Sequence, residues 1–289
     1  MTEQSAPIEE AIVSAATCPR SEAGTGGVFL STFVSESCGA TGFSTGTATF
    51  SSGACLPYHV HPFSEEVTVL EGRARVFVEG RWYRLNPKDC AHFPAGVAHQ
   101  VVNDEVDSPL VAHWAFATST PTRDLVDREF DEVERGFGDP CEDDPETIIR
   151  YKWESVYELS DQAYFLDLFA RRYGSFGICG GHGRFMPCAS LPCHIHDFDE
   201  SITIIKGAAT CLVAGRRYEL SRCDTAFIPK GLAHRFINRS GEEMEMVWVY
   251  AGSEPDRIEV KPEFCSGALA LPGNSFAKES MAEKDRSGI

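Results

Sequence analysis

Apolar and polar side chains in the first half of the chain alternate over short runs and do not recur at helical spacing. Val67 and Val69, then Val76 and Val78, lie two residues apart, so each pair occupies one face of an extended strand. These runs are rich in β-branched and aromatic residues and are broken by glycine, which predicts short strands joined by turns. Glu79-Gly80 and Ala214-Gly215 each separate two such runs, as a two-residue hairpin turn with positive φ requires. Gly72 and Gly207 mark a further pair of turns.

The paired turns belong to a repeat. Segment 53–103 aligns without a gap on segment 188–238 at an offset of 135 residues, with 22 of 51 positions identical. The chain is therefore a duplicated domain, and short strands at this spacing predict an all-β fold with one antiparallel barrel or sandwich per copy. The expected organisation is an N-terminal extension (1–24), a first domain (25–120), an acidic connector (121–154), a second domain (155–258) and a C-terminal tail (259–289). Within the connector Leu125, Val126, Phe130, Val133 and Phe137 are spaced as on one helix face, which predicts a short helix with a solvated acidic side. The polar stretch from Ser275 to Ile289 lacks a core pattern and is expected to be mobile.

Composition narrows the partners. Of 289 residues, 43% are hydrophobic and 24% charged, which places the chain among folded globular proteins. Its formal charge of -17 opposes nucleic acid and anionic lipid surfaces. No apolar run approaches the roughly 20 residues of a membrane helix. Residues Met1 to Arg20 lack the basic-then-apolar order of a secretory signal, so a cytoplasmic location is expected. The 11 cysteines are odd in number and form no C-x-x-C pair, so they read mainly as small buried hydrophobes. Cys188 and Cys193, which flank the approach to a histidine motif, are the exception to watch.

Six of the nine histidines fall at matched positions of the repeat: His59, His61 and His99, then His194, His196 and His234. Residues i and i+2 of a strand share a face, so His59 and His61 present two imidazoles side by side. Glu65 keeps the same parity and joins them if the chain stays near extended. His99 must come from another strand, placed by the turn Pro94-x-Gly96. Three neutral imidazoles and one carboxylate suit Fe(II), Mn(II), Ni(II), Co(II), Cu(II) or Zn(II). Four protein ligands on an octahedral ion leave two positions open for water, dioxygen or a chelating substrate. The equivalent set in the second copy is His194, His196, Glu200 and His234.

These residues resemble the cupin superfamily, and in particular the bicupins, in which two small β-barrels share one chain. The first cupin motif, G(X)5HXH(X)3-4E(X)6G, is met by Gly53, His59, His61, Glu65 and Gly72. The second, G(X)5PXG(X)2H(X)3N, is met by Pro94, Gly96, His99 and Asn103, with Lys88 in place of its leading glycine. In the second copy His194, His196, Glu200 and Gly207, then Pro229, Gly231, His234 and Asn238 match, while Cys188 and Cys223 replace the leading glycines. The three departures fall at turns and spare the ligands. The resemblance implies two double-stranded β-helix (jelly-roll) barrels arranged as an intramolecular pseudo-dimer, with one divalent transition metal each. It also leaves room for a homo-oligomer.

Differences between the copies point to further candidates. Arg73, Arg75, Phe77 and His92 become Ala208, Thr210, Leu212 and Phe227. Arg75 would clamp a substrate carboxylate if it pointed inward, but Val76 and Val78 mark the opposite face as core, which favours a solvated arginine. His92 is a candidate general base, set against a hydrogen-bonded structural role. The repeated pairs Tyr83/Tyr218 and Phe63/Phe198 are expected to pack.

Cupin-like barrels serve dioxygenases, decarboxylases, isomerases, hydrolases and binders, so the fold names no reaction. The leading expectation is a metal-dependent dioxygenase whose small, oxygen-rich substrate chelates the metal through vicinal oxygens. The alternatives are a metal-dependent sugar or keto-acid isomerase and a non-enzymatic sensor or binding module. Oxalate decarboxylases share the architecture, but their pattern implies an arginine three residues before the first ligand histidine, where Leu56 and Leu191 stand.

Overall fold

The structure, a computed structural model, describes residues 8–24 and 26–269. The alternation at Val67, Val69, Val76 and Val78 turns all four side chains into one core, where they meet Phe50, Tyr83, Leu85, Phe93 and Trp114. Two sheets enclose that core. One runs Asp124–Leu125, Cys55–Val60, His99–Asn103, Ala74–Val78, Arg81–Leu85 and Val133–Gly136; the other runs Thr147–Ile149, Cys90–Phe93, Glu65–Glu71, Leu110–Phe116, Ser44–Phe50, Val28–Val34 and Ser21–Ala23. Equivalent strands of the second copy close around Phe165, Phe185, Ile202, Ile204, Phe236 and Trp248.

The hairpin turns take the required backbone: φ is 47° and 91° at Glu79 and Gly80, and 44° and 90° at Ala214 and Gly215. The three departures from the cupin glycines retain the glycine conformation. Lys88, Cys188 and Cys223 sit at φ of 76°, 69° and 68°, against 68° for Gly53, in the region where a Cβ is strained. At Lys88 the side chain offers compensation, since its Nζ lies 2.6 Å from Glu245 Oε2 of the second barrel.

The barrels pack through the outer faces of their larger sheets, burying Phe33, Phe43, Leu168, Phe169, Phe227 and Val249 between them. They also exchange strands. Ala11–Val13 pairs with Thr225–Ile228 of the second barrel, while Thr147–Ile149, leading into the second barrel, pairs with Cys90–Phe93 of the first. The residue before each exchanged strand is a buried glutamate with matched partners. Glu146 receives hydrogen bonds from Arg81 Nε (2.8 Å) and Tyr83 OH (2.7 Å), and Glu10 receives them from Arg216 and Tyr218 OH (3.0 Å). The repeated tyrosines thus clasp the exchanged strands, and within the N-terminal extension Ala11–Val13 joins the second barrel's sheet while Ser21–Ala23 joins the first barrel's.

Two sequence expectations are corrected. The connector is extended where a helix is expected: Asp124–Leu125 pairs antiparallel with Cys55–Val60, and Val133–Gly136 pairs parallel with Arg81–Leu85. Pairing with open sheet edges outweighs the weak helical spacing. Phe130 packs on Tyr58 at 4.9 Å, whereas Leu125 and Phe137 are exposed, so the supposed apolar face is not a single face. The only helical turn described in 121–154 is the 3-10 turn Trp153–Ser155.

The second correction concerns the cysteines. Cys90, Cys179 and Cys211 are buried as expected, but Cys18, Cys38, Cys55 and Cys223 are half-buried, Cys141 and Cys188 are exposed, and Cys193 and Cys265 form a disulfide. It pins the short helix Pro262–Ser266 to the second barrel, so the start of the tail is structured. The polar stretch 275–289 lies outside the described residues.

Candidate metal centres

Sheet register builds each site. His59 stands directly opposite His99, and His194 opposite His234, on neighbouring antiparallel strands. The chain bends after His61, so Glu65 opens a strand of the facing sheet and approaches the imidazoles from across the barrel. The Pro-x-Gly turns are tied to the same place: Gly96 N donates to His61 O at 2.8 Å, and Gly231 N to His196 O at 2.9 Å. Asn103 and Asn238 are structural, each Nδ2 bonding three backbone carbonyls.

In each set of four, one ligand atom per residue lies within 4.8 Å of all the others, and every residue is buried. In the first, Glu65 Oε2 is 3.9, 3.0 and 2.7 Å from the Nε2 atoms of His59, His61 and His99. In the second, Glu200 Oε2 is 3.5 and 2.6 Å from those of His196 and His234. All six Nδ1 atoms meet backbone carbonyls: His59 with Pro57 (2.8 Å), His61 with Thr122 (2.5 Å), His99 with Val97 (2.9 Å), His194 with Pro192 (2.8 Å), His196 with Asp256 (2.6 Å) and His234 with Leu232 (2.8 Å). Each Nδ1 therefore donates, which leaves the Nε2 lone pair as the ligand.

The residues fit a transition metal on their own geometry. His61 Nε2, His196 Nε2, His234 Nε2 and Glu200 Oε2 are buried without a hydrogen-bond partner, a costly arrangement that a cation would relieve. Burial pushes His196 down to about 4, and burial with the neighbouring charges of His234 and His196 pushes His194 well down. Burial works to raise Glu65, but the His99 charge and the imidazoles gathered around the carboxylate outweigh it and hold the carboxyl well below its ordinary range. Burial works to lower His61 and His234 as well, but Glu65 and Glu200 beside them outweigh it and raise both; three imidazoles with a carboxylate are the donor set a divalent transition ion takes once the imidazoles give up their protons.

The cavities differ. The first, of about 280 Å³, reaches His59, His61 and Glu65 between walls of Leu30, Phe50, Leu56, Val67, Val101, Trp114 and Phe116. The second, of about 110 Å³, reaches Glu200 and is narrowed by Tyr157, Trp248 and Tyr250. Tyr250 takes the place of Phe116, standing opposite Glu200 as Phe116 stands opposite Glu65.

Neither further candidate lines either of these two cavities. Arg75 is half-buried, binds Asp104 at 3.0 and 2.6 Å and lies over the Trp82 ring. His92 Nδ1 pairs with Glu66 at 2.6 Å beside Gly174 of the other barrel, on the opposite strand face from Phe93, which stacks on His99. Sequence reasoning missed a third repeated element: Pro121-Thr122-Arg123 and Pro255-Asp256-Arg257, whose middle carbonyls fix His61 and His196 and whose arginines line the two cavities. The shared Pro-x-Arg was its signal, hidden because the offset there is 134 and not 135.

Two duplicated β-barrels, each closed around three histidines and a glutamate, define a two-centre metal protein of the double-stranded β-helix class. The cupin domain family matches residues 46–116 and 181–250, and the chain belongs to it as a bicupin with one metal site per domain. Solved structures agree on the fold. An oxalate decarboxylase from Lactobacillus farciminis, in complex with formate, aligns with a TM-score of 0.69 at 15% identity, covering 89% of this chain and 90% of its own. The Bacillus subtilis oxalate decarboxylase, studied for its Mn(II) centres, aligns at 0.68 and 14% identity, covering 91% and 84%. No curated protein matches the sequence significantly.

Proposed function

We propose that the protein is a metal-dependent dioxygenase acting in the first barrel on a small molecule with an apolar body and vicinal oxygens. The observation that carries this reading is the first cavity itself, a mostly apolar chamber of about 280 Å³ ending on two histidines and a glutamate of one ligand set. Leu30, Phe50, Val67 and Trp114 would hold the apolar body and exclude water, and the ligand end would receive the oxygens. A bound transition ion supplies Lewis acidity and, when redox-active, one-electron chemistry with dioxygen. The Nδ1 bonds to Pro57, Thr122 and Val97 keep the imidazoles oriented. Leu56 and Leu191 line the two cavities, so a small, wholly polar dianion would meet apolar walls, which favours a larger substrate over an oxalate-like one.

Oxygen uptake by the metal-loaded protein against a panel of diols, diketones and hydroxy acids tests the reading. Consumption of dioxygen with substrate, lost in His59→Ala and retained in His194→Ala, is expected. Turnover of a panel member without dioxygen would replace the dioxygenase by an isomerase, and tight binding without turnover would make it a sensor.

A further inference from the structure

The two arginines that line the cavities occupy matched positions but have different electrostatic surroundings. Asp124–Leu125 pairs with Cys55–Val60, setting Leu125 opposite His59, and Ile258–Glu259 pairs with His194–Ile195, setting Glu259 opposite His194. The Thr122 and Asp256 carbonyls are anchored on His61 and His196, so each arginine is carried on a backbone fixed beside the ligands. Strand alternation turns residues 123 and 125, and likewise 257 and 259, to one side. In the second barrel that neighbour is an acid, and Arg257 Nη2 lies 3.5 Å from Glu259 Oε1. In the first it is Leu125, and Arg123 has no ion pair among the described residues. An arginine lining an apolar cavity, without an acid to neutralise it, is a donor fork for an incoming anion.

We infer that Arg123 is the anion-binding residue of the first cavity and selects substrates that carry a carboxylate on their apolar body, whereas the second cavity lacks this selectivity because Glu259 occupies Arg257. The inference deepens the proposed function and rests on its assignment of the first barrel as the substrate site. The charge at position 123 fixes one end of the substrate, and the metal ligands receive the other. The smaller second cavity, with its arginine already paired, has no free cation to offer.

Calorimetric binding of benzoate and of its neutral analogue benzamide to the metal-loaded protein tests this. Benzoate should bind about ten-fold or more tightly than benzamide. That preference should collapse in Arg123→Gln, and equally in Leu125→Glu, which installs the acid found beside Arg257. It should persist in Arg257→Gln. Equal binding of the two probes to the unaltered protein, or an Arg123→Gln variant that retains the preference, overturns the inference. Loss of benzoate binding in His59→Ala with none in Arg123→Gln would send the carboxylate to the metal end, overturning the role of Arg123 but not the metal-centred reading. Absent oxygen uptake with an intact benzoate preference would sink the dioxygenase and leave the anion site standing.

Discussion

The Cys193–Cys265 disulfide closes a loop with a sequence separation of 72 that contains the whole second set of His194, His196, Glu200 and His234, starting one residue before His194. In the chain-entropy account, cross-linking a loop of this length removes about 15 cal/mol/K from the unfolded chain, or roughly 4 kcal/mol at 25 °C. For a cooperative unit of 150–250 residues, that should lower the midpoint by about 8–16 °C when the bond is lost. The perturbation is Cys193→Ala with Cys265→Ala, alongside the unaltered protein with and without a thiol reductant. Differential scanning calorimetry reads the transition and thiol counting by mass spectrometry reads the bond. Nine other cysteines are free, so the reductant has no second disulfide to open among the described residues. The reasoning fails if the bond is present by mass spectrometry and its removal moves the midpoint by less than about 2 °C.

Further predictions follow from the backbone and the barrel interface. Cys188→Gly should raise stability by up to about 1 kcal/mol in urea denaturation, because an exposed residue at φ 69° is relieved of its Cβ; equal or lower stability would mean the turn is not strained. Glu245 joins the barrels: burial works to raise its pKa, but hydrogen bonds from His182 and Lys88 outweigh that and hold it at about 2. A depressed folded-state pKa contributes stability above the ordinary value of 4.5, lost as pH falls toward 2. Glu245→Gln should therefore cost about 1–2 kcal/mol at pH 7 and flatten the stability profile between those limits. An unchanged slope would assign the acid sensitivity elsewhere.

The two clusters of three histidines and a glutamate were legible in the sequence because metal chemistry demands fixed residue types at fixed spacing, and the duplication shows the spacing twice. The β-barrels were legible through period-two alternation at Val67, Val69, Val76 and Val78. What the sequence hid depends on partners distant in the chain. Ala11–Val13 and Thr147–Ile149 are three residues each, too short to show alternation, and only the matched Glu10 and Glu146 betray the exchange. The spacing of Leu125, Phe130 and Val133 resembles a helix face, yet strand edges took up the segments containing Leu125 and Val133. Cys265 stands outside the repeat, so nothing local paired it with Cys193. His92 looked like a base because titratable side chains read alike in sequence; its place on the outer face, against Glu66, comes from the sheet-on-sheet packing.

Metal content bears most directly on the central claim of two independent metal sites, one per barrel. Protein purified without chelator and measured by inductively coupled plasma mass spectrometry should carry about two equivalents of transition metal, falling to one in His59→Ala and in His194→Ala and to none in the double variant. A single equivalent in the unaltered protein, or two retained by the double variant, would contradict the account.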